Sequence, residues 1–238
     1  MEEVLNDLKK LSLKGPILSE SDSPNSIGRT LRNELKIEST RNEYKGFRIN
    51  ATNLKGNSRF NIISGCVPDW NKSVISSSKE LVDFYGVSDE TGKYKKKLFC
   101  TLYSNYPNSF GLYLKVNRSK GVLTENFLRN NNSKQLLVWD SKKLNEKLIT
   151  KNKTIFVHAY KLKKNSQTMF HFRLAEFFIK PNFEKFLKMI DYGSISMDHA
   201  ISVSHETNKA KEQGPLFKIT RDAMPKLFDD YNKFDLMN

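Results

Sequence analysis

The sequence predicts an α/β (α+β) fold in which helices flank a central mixed β-sheet. Segments with the two-residue period of strands alternate irregularly with segments of helical period along the 238 residues. Hydrophobic residues make up 38% of the chain and charged residues 28%, which is typical of soluble globular proteins. A chain of this length can bury a sizeable core, so we expect one domain or two closely associated lobes.

The pattern that organises the chain spans residues 26–50. It begins with apolar residues at helical spacing, for which Ser26 is the expected N-cap. A polar loop follows, and the period then changes to two. Apolar side chains alternate there with Arg48 and Asn50, so we predict a strand that presents these two polar side chains on one face.

The other elements follow from the same two periods. Gly56–Asn57 is typical of a hairpin turn, and it predicts that segment 59–64 pairs with the strand at 47–52. The polar segment 204–215 is expected to form a long loop. We predict further strands at 98–103, 110–116, 136–139, 154–160, 169–178, 195–203 and 216–219, and helices at 4–11, 79–85, 141–149, from 181 to 193, and from about 220.

The net charge of +14 is high for a chain of this length. It results from 40 Lys and Arg against 26 Asp and Glu, with a pI near 9.6. Such a balance favours a polyanionic partner, most commonly nucleic acid, although ordinary solubilising charge remains the alternative. No basic amphipathic helix or long apolar segment predicts a membrane association.

The cysteines and histidines do not predict a metal centre. Cys66 and Cys100 are far apart, and with four scattered histidines they have no zinc-ligand spacing. We expect reduced thiols in a cytoplasmic protein, because the N-terminal segment has no apolar signal core. Three of the histidines, His158, His171 and His199, lie in predicted strands and are expected to be structural.

Residues 26–50, which include the run IGRTL, resemble the active-site segment of MvaI/BcnI-type restriction endonucleases. These are relatives of the mismatch-repair nicking enzyme MutH within the PD-(D/E)XK superfamily. Similar segments follow in the same order at 94–102, 110–114, 137–140, 170–172 and 213–219. The resemblance implies one restriction-endonuclease-like unit over 1–238, with two lobes around a DNA cleft: 26–120 with the catalytic motif and 134–238 with a base-recognition loop.

The chain departs from that family at its catalytic positions. The family uses a helix Glu, a loop Asp, a strand Glu and a Lys two residues later, to which Arg32, Glu43, Arg48 and Asn50 correspond here. Carboxylates hold Mg²⁺ against the scissile phosphate, and the Lys supports the attacking water. Arginine cannot serve as a metal ligand in this way, but it is well shaped for phosphate. A substitute ligand at Glu38, in the loop, is the alternative, whereas Glu34 lies on a different face of the helix from Arg32.

The resemblance and the basic charge together predict DNA-contacting residues in both lobes. In the recognition loop, Asn and Gln suit adenine edges, whereas Lys suits guanine. The predicted set is Arg32, Arg48, Asn50, Lys55, Lys95, Lys96, Lys97, His205, Asn208, Lys209, Lys211 and Gln213.

These observations predict a duplex-DNA-binding protein of this fold that acts as a non-catalytic recognition module or subunit, a pseudo-nuclease of a restriction-modification system. Its partners would be double-stranded DNA and an effector or nuclease subunit, with no cofactor. Two alternatives stay open. One is an active, Mg²⁺-dependent type II restriction endonuclease with a variant metal site that uses Glu43, and the other is a structural subunit of a larger nucleic-acid or defence complex.

Overall fold

The computed structural model describes residues 1–21, 23, 25–38, 43–54, 59–104 and 106–238. Lys55 and the turn at Gly56–Asn57 lie outside these residues. The chain divides into two compact units. The first comprises Met1–Asn57, Lys151–Pro181 and Phe228–Asn238, and the second comprises Ser58–Thr150 and Asn182–Leu227. Each unit therefore combines segments that are far apart in sequence, whereas the lobes predicted above are continuous.

Helices and strands alternate along the chain, as the two hydrophobic periods predict. The described helices are α1 (Glu2–Leu13), α2 (Ser26–Glu34), α3 (Ser78–Tyr85), α4 (Ser141–Ile149), α5 (Phe183–Asp191) and α6 (Met224–Leu227). The described strands are β1 (Ile17–Leu18), β2 (Glu43–Tyr44), β3 (Phe47–Asn53), β4 (Arg59–Ser64), β5 (Val87–Ser88), β6 (Lys96–Leu102), β7 (Leu112–Asn117), β8 (Val122–Arg129), β9 (Asn132–Asp140), β10 (Lys153–Lys164), β11 (Gln167–Pro181), β12 (Ile195–Val203), β13 (Ala210–Glu212), β14 (Leu216–Thr220) and β15 (Phe228–Asp235). None of the described helices has the length and apolar character needed to span a membrane.

The first unit contains a mixed sheet. Its strand order is β1-β11-β10-β3-β2, and β15 pairs with β11. Strands β3 and β10 run parallel, with Thr154 opposite Arg48 and Phe156 opposite Asn50, while the other pairs are antiparallel. A mixed sheet flanked by helices is the predicted α+β arrangement.

One face of this sheet packs against α1 and α2. Leu8 of α1 and Leu31 of α2 belong to the apolar stripes of their helices, and they form a buried cluster with Phe47 and Ile49 of β3. Successive strand residues point to opposite faces, so Arg48 lies on the other face of β3, where it is half-buried. Helix packing thus determines which polar side chains of β3 stay clear of the core.

The second unit contains an antiparallel sheet with the order β4-β14-β12-β6-β5, in which β13 also pairs with β12, and a three-stranded sheet β7-β8-β9. Aromatic residues fill its core: the Trp139 and Phe217 rings meet edge to face at 6.4 Å, and Phe186 of α5 lies 5.8 Å from Phe217. The indole Nε1 of Trp139 donates a hydrogen bond to the Cys66 carbonyl at 2.8 Å. Cys66 and Cys100 are free thiols.

The structure corrects two predictions about the organising segment. Ser26 is the first residue of α2 rather than its N-cap, because Asn25 occupies the cap position. Segment 59–64 is strand β4 as predicted, but it pairs with β14 and not with β3. Ile62 and Ile63 of β4 are both buried, which places this strand in the core of the second unit. A turn motif alone does not determine the partner of the strand that follows it.

Segment 204–215 is a compact hairpin connection rather than a long loop. Ala210–Glu212 forms β13, which pairs with the end of β12. Gly214 follows with a φ of +81°, and a Cβ at this position would lie 2.7 Å from the Cα of Gly65. Pro181 ends β11, and Asn182 caps α5 in place of the predicted start at 181. Strands β8 and β15 were not predicted, because their polar residues obscure the alternation.

Candidate nucleic-acid interface

Three of the four motif positions share one face of the β2–β3 hairpin. Glu43 and Arg48 are directly opposite each other across the two strands, so their side chains project to the same side. Asn50 follows two residues later on that side, half-buried like Arg48, whereas Glu43 is exposed. Arg32 comes from a separate element, α2, where it is half-buried next to the core residue Leu31.

A lysine that the sequence did not indicate lies beside Arg48. Lys151 comes just before β10, the strand that runs parallel to β3, and the hydroxyl of Thr154 donates to its carbonyl at 3.1 Å. Partial burial and, to a smaller extent, the charge of Arg48 together lower the pKa of Lys151 to about 8. The two cations therefore repel each other, and an anion bound between them would relieve that repulsion. A parallel pairing of strands a hundred residues apart gives no local sequence signal.

The motif positions provide few ligands for a divalent cation. Among the described residues, no group of three or more His, Cys, Asp or Glu side chains is placed to hold a metal ion. Mg²⁺ prefers several oxygen ligands with negative charge, and Arg48 and Lys151 oppose its approach. Glu34, the acidic residue of α2 nearest in sequence to Arg32, is held in an ion pair with Lys14 at 2.7 Å. This set of side chains fits an anion better than Mg²⁺.

The predicted basic cluster at the start of β6 is divided among separate partners. Lys97 forms an ion pair with Asp89 at 2.5 Å, and its hydrogen bond holds the pKa of Asp89 well below the usual range. The ammonium group of Lys96 donates to the Asp83 carbonyl at 2.9 Å. Lys95 is exposed and donates to the Asn208 side chain at 3.0 Å. Of these three lysines, Lys95 is therefore the most accessible to a binding partner.

Lys95 and Asn208 bring two predicted sites together at the β12–β13 connection. Asn208 has a φ of +52°, and its backbone N–H donates to the Ser204 carbonyl at 3.2 Å, which tightens the turn. The five predicted contact residues of this segment are all exposed: His205, Asn208, Lys209, Lys211 and Gln213. The turn therefore presents amide and ammonium groups to solvent on a short, hydrogen-bonded frame.

A cluster centred on Asp198 lies on the same strand and was not predicted. Arg59 makes two hydrogen bonds to the Asp198 carboxylate, at 3.1 and 3.2 Å, and a third to the Ser196 hydroxyl at 2.8 Å. The ammonium of Lys218 lies 2.6 Å from the same carboxylate, and the Thr101 hydroxyl donates to it at 2.9 Å. We refer to these five residues as the Asp198 cluster.

The Asp198 cluster is an ionised and oriented group. Partial burial acts to raise the pKa of Asp198, but hydrogen bonds from Lys218 and Thr101 and the charge of Arg59 outweigh it, so that pKa is lowered. Charge-assisted, two-point contacts of this kind fix the guanidinium plane of Arg59. The alternation of β12 in the sequence indicates that Asp198 faces away from the core. It gives no indication of Arg59, Thr101 and Lys218, because these partners lie on three other strands.

The opposite face of β12 carries a buried ion pair. His199, predicted to be structural, is 3% exposed, and its Nε2 lies 2.8 Å from the Glu125 carboxylate. Burial alone would lower the pKa of His199, but the Glu125 carboxylate outweighs it, and the pKa is raised. His158 is likewise buried, 2.5 Å from Glu176, and His205 is exposed as expected.

Comparison with known proteins agrees with this architecture. The profile of the MvaI/BcnI restriction endonuclease family matches residues 5–228. The structure of an MvaI–cognate DNA substrate complex superposes with a TM-score of 0.76 at 16% identity, covering 99% of this chain and 97% of the other. MvaI in the absence of DNA gives a TM-score of 0.60 at 18% identity, covering 99% and 98%. Comparison with functionally curated proteins finds no significant match. The chain has the predicted MvaI endonuclease fold, and it belongs to the MvaI/BcnI restriction endonuclease family.

Proposed function

We propose that this chain binds duplex DNA without hydrolysing it and serves as a sequence-recognition module of a restriction-type system. The observation that carries the proposal is the position of Arg48 on the motif face, where the family places a carboxylate, with the charge of Lys151 near it. A DNA phosphate satisfies both cations, and the guanidinium of Arg48 can contact it in a bidentate manner. No metal ion is needed for that interaction.

The rest of the chain supports DNA as the anion. The net charge of +14 favours a polyanion, and MvaI, whose fold this chain shares, is known in complex with its cognate DNA substrate. The Asp198 cluster and the exposed β12–β13 turn offer oriented guanidinium, ammonium and amide groups. These are the side chains that read base edges in the major groove. We assign phosphate contact to the first unit and base recognition to the second.

Two measurements on the purified protein test this proposal. Supercoiled plasmid should stay uncut with either Mg²⁺ or Mn²⁺. Binding to duplex DNA, titrated at several salt concentrations, should give a log–log slope of about −4 to −8, at about −0.9 per phosphate contact. Arg48→Ala should make that slope shallower by about one unit for every DNA sequence, because a phosphate contact carries no base preference.

The matched control is Arg129→Ala, which removes an exposed arginine from the end of β8 and should leave the slope unchanged. Site-specific, metal-dependent cleavage that Glu43→Ala abolishes would overturn the proposal and establish an endonuclease with a variant metal site. A salt slope near zero would instead favour the structural-subunit alternative.

The base-recognition assignment has its own test within the β12–β13 turn. Gln213→Ala or Asn208→Ala should cost on the order of 1–3 kcal/mol against the preferred sequence, because an amide pairs bidentately with adenine. Lys209→Ala should weaken binding to all sequences alike. Identical behaviour of these variants across a randomised target library would exclude the turn as the recognition element.

A further inference from the structure

The β10–β11 hairpin extends beyond β3 in the first unit. Strand β3 pairs with β10 only as far as Asn53, opposite Ala159, and the Leu54 N–H adds one more bond to the Ala159 carbonyl. From Tyr160 onward, β10 pairs with β11 to the end of the hairpin, opposite residues 167–171. We refer to residues 160–168 as the basic arm.

The basic arm carries positive charge and no negative charge. Lys161, Lys163 and Lys164 are all exposed, and residues 160–168 (YKLKKNSQT) contain no Asp or Glu. Tyr160 and Leu162 are also exposed, by 39% and 41%. Because strand side chains alternate, Lys164 lies with Tyr160 and Leu162 on the face of the sheet that carries Arg48, while Lys161 and Lys163 lie on the opposite face. A ribbon with this composition favours binding to a polyanion, whose negative charge the lysines can contact and whose apolar surface Tyr160 and Leu162 can contact.

The arm is stiffened at both ends. Asn165 and Ser166 form its two-residue turn with φ values of +49° and +64°, the combination whose twist matches that of paired strands. From its base upward, β1 pairs with β11 through Leu18 and Met169, and the Ser19 N–H donates to the Thr168 carbonyl at 2.8 Å. The imidazole Nε2 of His171 also lies 3.2 Å from the Ser12 carbonyl. The lysines are therefore held on an ordered ribbon, which reduces the entropy lost on binding.

We propose that the basic arm is a second DNA-contacting element, which holds the phosphate backbone beyond the phosphate bound at Arg48 and Lys151. Thr154 lies opposite Arg48, so Lys164 is ten residues further along β10 on the same face. At about 3.3 Å per residue this places it on the order of 33 Å from Arg48, which matches about ten base pairs of duplex. The proposal rests on the proposed function, namely duplex DNA binding by this chain.

The experiment compares two triple variants that lose the same net charge. The first is Lys161→Ala/Lys163→Ala/Lys164→Ala, and the second removes the exposed lysines of α4 as Lys142→Ala/Lys143→Ala/Lys147→Ala. Each is titrated against duplexes of about 12 and about 30 base pairs that contain the same central sequence, at several salt concentrations. Circular dichroism and thermal unfolding establish that both variants fold as the wild-type protein does.

Wild-type protein and the α4 variant should bind the long duplex more tightly than the short one. The arm variant should lose that preference, and its salt slope on the long duplex should be shallower by about one unit or more, at about −0.9 per lost contact. Replacement of the same three lysines with arginine should restore both properties. Hydroxyl-radical footprints should shorten on one flank in the alanine variant alone.

If the arm variant matches the α4 variant on both duplexes, the arm does not contact DNA, while the proposed function stands. In that case capture of an acidic polypeptide by wild-type protein, but not by the arm variant, would assign the arm to a protein partner. If wild-type protein binds neither duplex, the proposed function fails and the arm proposal fails with it. The two failures are thus distinguishable from the wild-type titration alone.

Discussion

The two units hold positive charge in different ways. In the first unit, Lys151 is partly buried near the charge of Arg48, and burial and that charge both lower the pKa of the lysine. In the second unit, Arg59 and Lys218 share the carboxylate of Asp198, which neutralises part of their charge and fixes their orientation. Excess charge suits a phosphate, which has the same charge at every base pair. Balanced, oriented charge suits a base edge, where the donor geometry matters more than the net charge.

The largest expected effect concerns the buried pair behind the Asp198 cluster. Glu125→Gln leaves His199 in the core without its carboxylate, and the free energy of unfolding should fall by about 3 kcal/mol. Urea unfolding measures this, with Glu184→Gln on the exposed face of α5 as the control. An unchanged urea midpoint for Glu125→Gln would show that the stability of the second unit does not depend on the Glu125–His199 ion pair.

The same pair predicts a pH dependence of stability. Because the folded-state pKa of His199 is raised, its stabilisation is fully present below the unfolded value of about 6.5 and is lost as pH rises through the folded value. Wild-type protein should therefore lose stability as pH increases above about 6.5. Glu125→Gln should lose that dependence.

Asp198→Asn separates the two kinds of charge most directly. The substitution keeps the size of the side chain but releases Arg59 and Lys218, so discrimination between preferred and random sequences should fall by about 1–3 kcal/mol. Non-specific affinity should increase slightly, because one negative charge is removed. Asp191→Asn, which breaks the peripheral ion pair with Arg118, is the matched control. Reduced non-specific binding together with unchanged discrimination would reverse the roles assigned to the two units.

The smallest expected effect is the pH dependence of phosphate contact at Lys151. With a folded-state pKa of about 8, this lysine is mostly charged at pH 7 and about one-tenth charged at pH 9. Affinity for duplex DNA should weaken by up to about tenfold over that range, whichever sequence is used. Lys151→Arg should bind equally well at both pH values, since arginine stays charged. A wild-type affinity that does not change with pH would remove Lys151 from the interface.

The local features of the fold could be predicted from the sequence. The alternation around Arg48 gave the correct faces of β3, because helix packing and strand pleat both follow from nearest-neighbour patterns. The helix at 141–149 was predicted for a similar reason, and Asp140 caps it, because its side chain accepts from the Lys142 N–H at 2.7 Å.

Long-range pairing could not be predicted in the same way. The place of β4 beside β14 and of Lys151 beside Arg48 depends on contacts between segments more than 100 residues apart. The Asp198 cluster illustrates both cases. Its central carboxylate follows from the alternation of β12, whereas Arg59 and Lys218 join it only through the order of strands in the sheet. A charge pattern therefore identifies the faces of strands, and topology decides which charges meet.

The contact between Gly65 and Gly214 restricts how this protein can acquire a new target sequence. A side chain at Gly214 would collide with the backbone of Gly65, so this end of the recognition segment is fixed. The exposed positions from His205 to Gln213 have no such restriction, apart from Asn208 with its φ of +52°. The exposed side chains of the turn can therefore change, by natural drift or by library selection, while Gly214 holds the backbone at the end of the turn in place. Retargeting libraries should randomise the turn and leave both glycines unchanged.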